Sequence, residues 1–275
     1  QRGVNEEASW RSWQIPTKDS GNYWTLTEDG QNELERLKDN MSEDSYAQEY
    51  GADFRKHTGL IFKEFDRTIH VKTFEIKTKY PLEIGMDFGY THPTAVLYTY
   101  FDDDDIWHIF DEYYFSGRTI FEHAGSIRAQ RERYTSSLKA VYGDSEDAMA
   151  IAEYGRFGWF VTPAIKDKGS VVASIDRIAE RMKMDPVLKS PKLLIHPNCV
   201  NLIKELERYR WSERKSDGRD DEPEKENDDA ISALRYIILM HHKSRDNFAQ
   251  PTKFTYTPMG TNLTSKKKSM WDFKP

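Results

Sequence analysis

A single cysteine, Cys199, stands among 275 residues. One thiol forms no internal disulfide and builds no cysteine-rich zinc site, and its scarcity fits a reducing compartment. No run comes near the ~20 apolar residues that a membrane helix requires. No basic stretch leads into an apolar one at the start of the chain, so no secretory leader is visible. Positive charge is short as well: 40 Lys and Arg stand against 46 Asp and Glu, a net charge of −6 with a pI near 5.8. That balance counts against a simple basic coat for nucleic acid. It leaves room for an enzyme that concentrates carboxylates to hold cations. The chain opens on Gln1 and reads as a fragment or a processed product.

What is present suffices for a packed core, with 37% hydrophobic and 13% aromatic residues. The length fits one large domain, or one domain with an extra lobe. The basic residues are unevenly placed, in Arg128–Lys139, Lys166–Lys168, Arg177–Lys189 and Lys204–Arg219. Each segment reads equally as a nucleic-acid face or as a solvated helix surface.

Residues 1–75 read as a separate piece. They carry Trp10, Trp13 and Trp24, a helix over Thr27–Met41 and a second helix starting at Ser42. At Pro81 the texture changes. Leu82–Phe88, Pro93–Phe101 and Ile106–Phe115 are apolar, aromatic and β-branched runs, and predict three consecutive strands. Asp102–Asp105 reads as the hairpin turn between the second and third, because charge runs belong in solvent. Helices and strands then alternate. Helices are expected over Thr119–Arg133, Glu146–Tyr154, Ser170–Met184 and Cys199–Tyr209, and strands over Leu138–Gly143, near Trp159–Thr162 and over Lys192–Ile195. Ser212–Lys225 reads as a loop. A last helix over Asn227–His242 starts from Asn227 as a possible cap, and residues 246–275 read as a tail. Three antiparallel strands followed by alternating helix and strand predict an α/β domain with a mixed sheet, flanked by helices.

Three acidic positions stand out. Asp87 lies late in an apolar strand, in Gly85-Met86-Asp87-Phe88-Gly89. An acid there is expensive to bury unless it is paired or bound to metal, and flanking glycines let another backbone or a phosphate come close. The alternative is a turn-capping Asp. Asp144 follows the strand Leu138–Gly143 directly, so its carboxylate leaves a strand end. Its alternative is an N-cap for the next helix, and Glu146 and Asp147 are lesser candidates in that helix's first turn. Asp228 and Asp229 open the last helix, where first-turn acids also serve the helix dipole. One of the two is free to bind metal while the other caps, and Ser232 lies one turn on along the same face. Mg²⁺ and Mn²⁺ favour such oxygen ligands, and two ions ~4 Å apart cleave a phosphodiester by activating water and stabilising the leaving oxygen. The acids have no convincing catalytic histidine beside them. His92 is the one exception, and it reads as a turn residue.

Five segments, in order and spacing, resemble the nuclease domain of phage terminase large subunits, the motor proteins that package viral DNA. They are Ile84–Gly89, Tyr142–Asp144, Lys168–Val171 with Ile175, Ile203–Leu206 through Tyr209 and Trp211, and Asn227–Tyr236. The resemblance covers roughly residues 8–243. Trp13 through Thr17 and Gln48–Tyr50 look like the end of the family's ATPase domain and its linker. It implies a ribonuclease H-like fold, two divalent ions (Mg²⁺ or Mn²⁺), and cutting of concatemeric double-stranded viral DNA at the start and end of packaging. Small-subunit and portal partners and the cytoplasm of an infected host cell follow from it. The family's metal ligands fall on Asp87, Asp144 and the Asp228–Asp229 pair. Many members place His and then Asp three residues later on the last helix. Here those places hold Asp229 and Ser232, which leaves the choice between Asp228 and Asp229 open. Lys168 falls in a loop near the family's active site and is a candidate DNA-phosphate contact.

The phosphate-binding loop Gly-x-x-x-x-Gly-Lys-Ser/Thr is absent, so ATP hydrolysis by that route is not expected. The resulting division is a remnant of the ATPase side over 1–75, a nuclease domain over 76–245 and a tail over 246–275. Gly85–Gly89 with Thr91 and Thr94 also resembles the first phosphate loop of actin-like ATPases, but no second such loop follows. Another ribonuclease H-like nuclease, of the Holliday-junction resolvase or integrase kind, and a non-catalytic packaging module are the remaining alternatives.

Overall fold

The computed structural model describes residues 15–40, 46, 50–52, 59–212 and 222–249. The helix expected from Ser42, Trp10 and Trp13, and the tail from residue 250 onward lie outside the described residues. Helix α1 (Glu28–Asn40) follows Thr27, whose Oγ1 accepts the Gly30 N–H at 3.1 Å. A one-turn helix, α2 (Arg67–His70), leads toward the sheet.

Six strands form one mixed sheet: β1 (Leu82–Asp87), β2 (Thr94–Phe101), β3 (Trp107–Phe115), β4 (Leu138–Gly143), β5 (Val161–Pro163) and β6 (Leu193–Ile195). Their spatial order is β5-β4-β1-β2-β3-β6. The pairs β1–β2 and β2–β3 are antiparallel, and β1–β4, β4–β5 and β3–β6 are parallel. This is the ribonuclease H-like arrangement that the sequence predicts. The helices are α3 (Ile120–Arg131), α4 (Ala148–Arg156), α5 (Ser170–Met182), α6 (Val200–Leu206) and α7 (Asp229–Ala249).

Strand periodicity sorts the core into two layers. Leu82, Ile84 and Met86 point to the face covered by Ala124 and Ile127 of α3 and by Ala150 and Tyr154 of α4. The opposite face carries Ala95, Leu97 and Ile109, and is covered by Ile175 and Ile178 of α5, Leu202 of α6, and Ile231, Leu234 and Ile238 of α7. Gly85 lets α7 lie directly on β1. A Cβ built there would stand 2.2 Å from the Ala233 carbonyl oxygen and 2.8 Å from Ile237 Cγ1. Of the two reasons the sequence offers for a glycine beside Asp87, approach of a backbone is the one realised at Gly85.

Several expectations shift by a turn. The helix after β4 begins at Ala148, not Glu146, with Asp147 as its cap accepting the Ala150 N–H at 2.9 Å. Asp144 is thus free of N-cap duty, and Glu146 and Asp147 precede the first turn. Asn227 does not cap the last helix. It adopts a left-handed φ of 52°, and the Asp228 carbonyl accepts the first helical N–H, from Ser232, at 2.7 Å. That helix also runs on to Ala249, past His242. The Asp102–Asp105 run is the β2–β3 turn: Asp102 Oδ1 accepts the N–H groups of Asp104 and Ile106, and Oδ2 faces His108 Nε2 at 2.8 Å. Because β2 runs antiparallel to β1, this turn sits at the end of the sheet away from Asp87.

Residues 59–71 are tied to the sheet layer. Ile61 donates to the Tyr209 carbonyl at 2.9 Å, Trp211 donates to the Gly59 carbonyl at 3.0 Å, and Val71 bridges Ile195.

Candidate active site

The site forms where the carboxyl ends of two parallel strands meet the start of α7. Met86 pairs with Gly143 in the β1–β4 register, so the next residues, Asp87 and Asp144, leave neighbouring strands at the same end. A single hydroxyl joins them: Tyr236 donates toward Asp87 Oδ1 at 3.0 Å and lies 3.3 Å from Asp144 Oδ2. Tyr236 stands two turns beyond Asp229 on α7, so both share the helix face turned toward β1. Asp144 Oδ1 accepts the Glu146 N–H at 2.8 Å and holds Lys166 Nζ at 2.6 Å, and Lys166 also reaches Glu146 at 2.9 Å.

A cleft of about 910 Å³ opens in front of these groups. Asp87, Asp144, Asp228, Lys166, Lys168 and Ser232 are among its walls. Glu222, Pro223 and Lys225 close another side. The sequence-predicted acids and Lys168 are therefore brought to one place, with Asp229 beside it. His92 lies exposed in the β1–β2 turn.

The electrostatics are those of crowded acids. Burial pushes the Asp87 carboxyl up to about 7, and the charges on Asp229, Asp144 and Asp228 add to it against the hydrogen bond from Tyr236. Burial likewise raises Asp228, opposed by Arg235, and raises Asp229, opposed by Tyr114. Burial works against the charge on Lys166, but Asp144 and Glu146 outweigh it and hold the ammonium above its ordinary range. Acids that raise one another are relieved by a cation among them.

Asp229 is also held from behind. The Tyr114 hydroxyl lies 2.9 Å from Glu205 Oε1 and 3.1 Å from Asp229 Oδ2, and Glu205 Oε2 accepts the Ile231 N–H at 3.0 Å. One hydroxyl hydrogen serves one acceptor at a time, so both Tyr114 contacts are hydrogen bonds only when one carboxyl keeps a proton. Burial pushes Glu205 up to about 8, aided by the charges on Asp229 and Asp228. Glu205 is the carboxyl suited to keep that proton.

The chain is 27% identical over 218 residues to the terminase large subunit of Escherichia phage T5, which covers 75% of this chain and 48% of that protein. Its fold matches the large terminase of the thermophilic bacteriophage D6E with a TM-score of 0.66 at 22% identity, over 78% of this chain and 52% of that one. It matches the P22 large terminase nuclease domain with a TM-score of 0.53 at 21% identity, over 67% of this chain and 93% of that domain. The chain is terminase-like in sequence and in fold. It spans about half the length of the T5 and D6E proteins. No family model matches.

Within this terminase-like frame, four side chains of the site were not singled out from the sequence: Tyr236, Lys166, Tyr114 and Glu205. The signal for Tyr114 becomes readable only with the sheet register. Asp87 pairs with Ala95 and Ala95 with Tyr114, so the three fall in one row and point to one face, with the small Ala95 between. Glu205 is 5% exposed, an acid buried beside the apolar Leu202, Ile203 and Leu206 of its helix.

The basic clusters divide. Lys166 and Lys168 face the acids. Lys204, Arg208 and Arg210 line an adjoining groove of about 510 Å³ beside Tyr114 and Glu205. The Arg128–Lys139 cluster instead holds structure: Arg128 donates to the Phe157 carbonyl, Arg131 to those of Tyr134 and Ser136, and Lys139 pairs with Glu83. In the Arg177–Lys189 cluster, Arg181 binds Asp105 at 3.0 Å.

The donors suit hard divalent ions, being carboxylate oxygens on partly buried side chains. Among the described residues, no three His, Cys, Asp or Glu side chains stand in a geometry that would hold a metal ion. Tyr236, Lys166 and Tyr114 occupy carboxylate oxygens instead. The fit rests on the chemistry of the donors and on their mutual repulsion.

Proposed function

We propose that the chain is the nuclease portion of a viral DNA-packaging terminase, a divalent-metal-dependent endodeoxyribonuclease. It cuts concatemeric double-stranded DNA at the start and end of packaging. The observation that carries this reading is the meeting of Asp87 and Asp144, from two parallel strand ends, with Asp228 at one cleft, next to Asp229 at the start of α7. The likeness to terminase large subunits supports it.

Asp87, Asp144 and one of Asp228 and Asp229 would hold two ions, Mg²⁺ or Mn²⁺. When bound, these ions supply activation of the attacking water and stabilisation of the leaving 3′ oxygen. The chain's own residues do the positioning. Gly85 seats α7 on β1, which sets the distance between Asp229 and Asp87. Tyr236 orients the facing oxygens of Asp87 and Asp144. Lys166 and Lys168 offer ammonium groups to the phosphates of the bound strand. No histidine is required as a base.

In this reading residues 1–75 are a remnant of the ATPase side, 76–245 the nuclease domain and 246–275 the tail. The terminase small subunit and the portal are its partners, in the cytoplasm of the infected host cell. Among the described residues no helix is long and apolar enough to cross a membrane. Relaxation of supercoiled plasmid by the purified chain in Mn²⁺ or Mg²⁺, and not in chelator, tests the reading. An intact plasmid under every metal contradicts it.

A further inference from the structure

Two adjacent acids begin α7, and the proposed chemistry needs to know which one ligates. Asp228 opens onto the cleft with Ser232 and Arg235. Asp229 shares the α7 face of Tyr236, which touches Asp87. Among the described residues, Asp229 is the one of the two with a side-chain hydrogen bond behind it. Tyr114 meets its Oδ2, and Tyr114 is itself braced by Glu205, whose second oxygen is fixed by the Ile231 N–H in the first turn of the same helix.

We propose that Tyr114 and Glu205 are positioning residues that hold Asp229, rather than Asp228, in the orientation that ligates the ion shared with Asp87. The inference rests on the nuclease reading above. Tyr114 reaches Asp229 because Asp87, Ala95 and Tyr114 form one row across three strands, with no bulk at Ala95 to block the way. Glu205 belongs to α6, which packs against α7. It therefore ties the start of α7 to a second element and limits the freedom of the first turn. Both Glu205 oxygens are engaged inside this network, one at Tyr114 and one at the Ile231 N–H. Its part is to brace Tyr114, as outer-shell hydrogen-bond partners brace ligands in metal sites.

Calorimetric titration of the purified chain with Mn²⁺, beside a thermal melt of each ion-free variant, tests this. Tyr114→Phe should weaken Mn²⁺ binding by about tenfold or more, with the melt showing a folded protein. Glu205→Ala should do the same. Glu205→Gln should bind within roughly threefold of the unaltered chain, because its amide reproduces both hydrogen bonds, donating to Tyr114 and accepting from Ile231. Asp229→Asn should cost far more than Asp228→Asn. Unchanged affinity in Tyr114→Phe overturns the inference. So does a Glu205→Gln variant as weak as Glu205→Ala, which would make the Glu205 charge itself the ligand, and so does a greater loss from Asp228→Asn. If Glu205→Ala does not fold, Tyr114→Phe and Glu205→Gln decide. If the unaltered chain takes up no Mn²⁺, the nuclease reading itself fails and the inference goes with it.

Discussion

Replacing Gly85 by alanine is a one-carbon change with a large expected effect. The added Cβ would sit 2.2 Å from the Ala233 carbonyl oxygen and 2.9 Å from its carbon, where ordinary contact lies at 3.4–4 Å. The obstacle is helix backbone, so no side chain can rotate away. Helix α7 must withdraw from β1 by about 1 Å, opening the contacts of Ala233, Ile237 and their neighbours. Overpacking of this kind costs about 1–3 kcal/mol, and a backbone clash on a central strand belongs at the upper end. The lower chain entropy of alanine returns only about 0.4–1 kcal/mol. At roughly 2–4 °C per kcal/mol for a protein of this size, Tm should fall by about 5–10 °C. The same movement carries Asp229 and Tyr236 away from Asp87, and a ~1 Å misplacement of groups around a reacting centre costs about 100-fold in rate. Thermal unfolding and plasmid cleavage, the latter well below the variant's Tm, measure the two effects separately. A variant that melts within 2 °C of the unaltered chain and cuts at full rate would refute the packing described for Gly85 (threshold about 1 kcal/mol).

Glu83 is a buried acid at the end of β1 away from the cleft, 2.7 Å from Lys139 Nζ and 2.8 Å from His241 Nδ1. Burial pushes its carboxyl up, but His241 and Lys139 together outweigh it and hold it below the ordinary value. A depressed acid contributes stability that is full above its unfolded pKa and is lost as pH falls through its folded pKa. Glu83→Gln should cost about 2–3 kcal/mol at neutral pH, less than a fully buried pair because Lys139 is partly in solvent. It should also flatten the acid limb of a Tm-against-pH curve, and an unchanged limb would contradict the assignment. Lys166→Met removes the ammonium that competes for Asp144. Mn²⁺ affinity should rise about fivefold, a gain of about 1 kcal/mol, while cleavage slows; a fall in affinity in titration calorimetry would argue against competition.

Much of this molecule was legible in its residues. The apolar, aromatic and β-branched runs of Leu82–Phe88, Pro93–Phe101 and Ile106–Phe115 announced the antiparallel strands, and helical spacing over Ser170–Met184 announced α5. Asp87 and Asp144 were legible because acids at the ends of apolar strands are costly without a purpose. Helix ends were less so. Polar residues on either side of a helix start, such as Glu146, Asp147, Asn227 and Asp228, are hard to rank as caps, and only the backbone path separates them. The supports of the site were hidden for a different reason. Tyr114, Glu205, Lys166 and Tyr236 matter through partners up to 149 residues away, and no local pattern records such a pairing. The arginines of Arg128–Lys139 were ambiguous in the same way, since a guanidinium that satisfies a carbonyl and one that awaits a phosphate look alike in sequence.

The plasmid assay repeated with Asp87→Asn is the most direct measurement of whether these carboxylates carry the chemistry. Asparagine keeps the shape of Asp87 and its contact with Tyr236, and it removes only the charge, so a thermal melt should show the variant folded. We expect cleavage in Mn²⁺ or Mg²⁺ by the unaltered chain and loss of about 100-fold or more in the variant. Equal cleavage by the two proteins would contradict a metal centre built on Asp87.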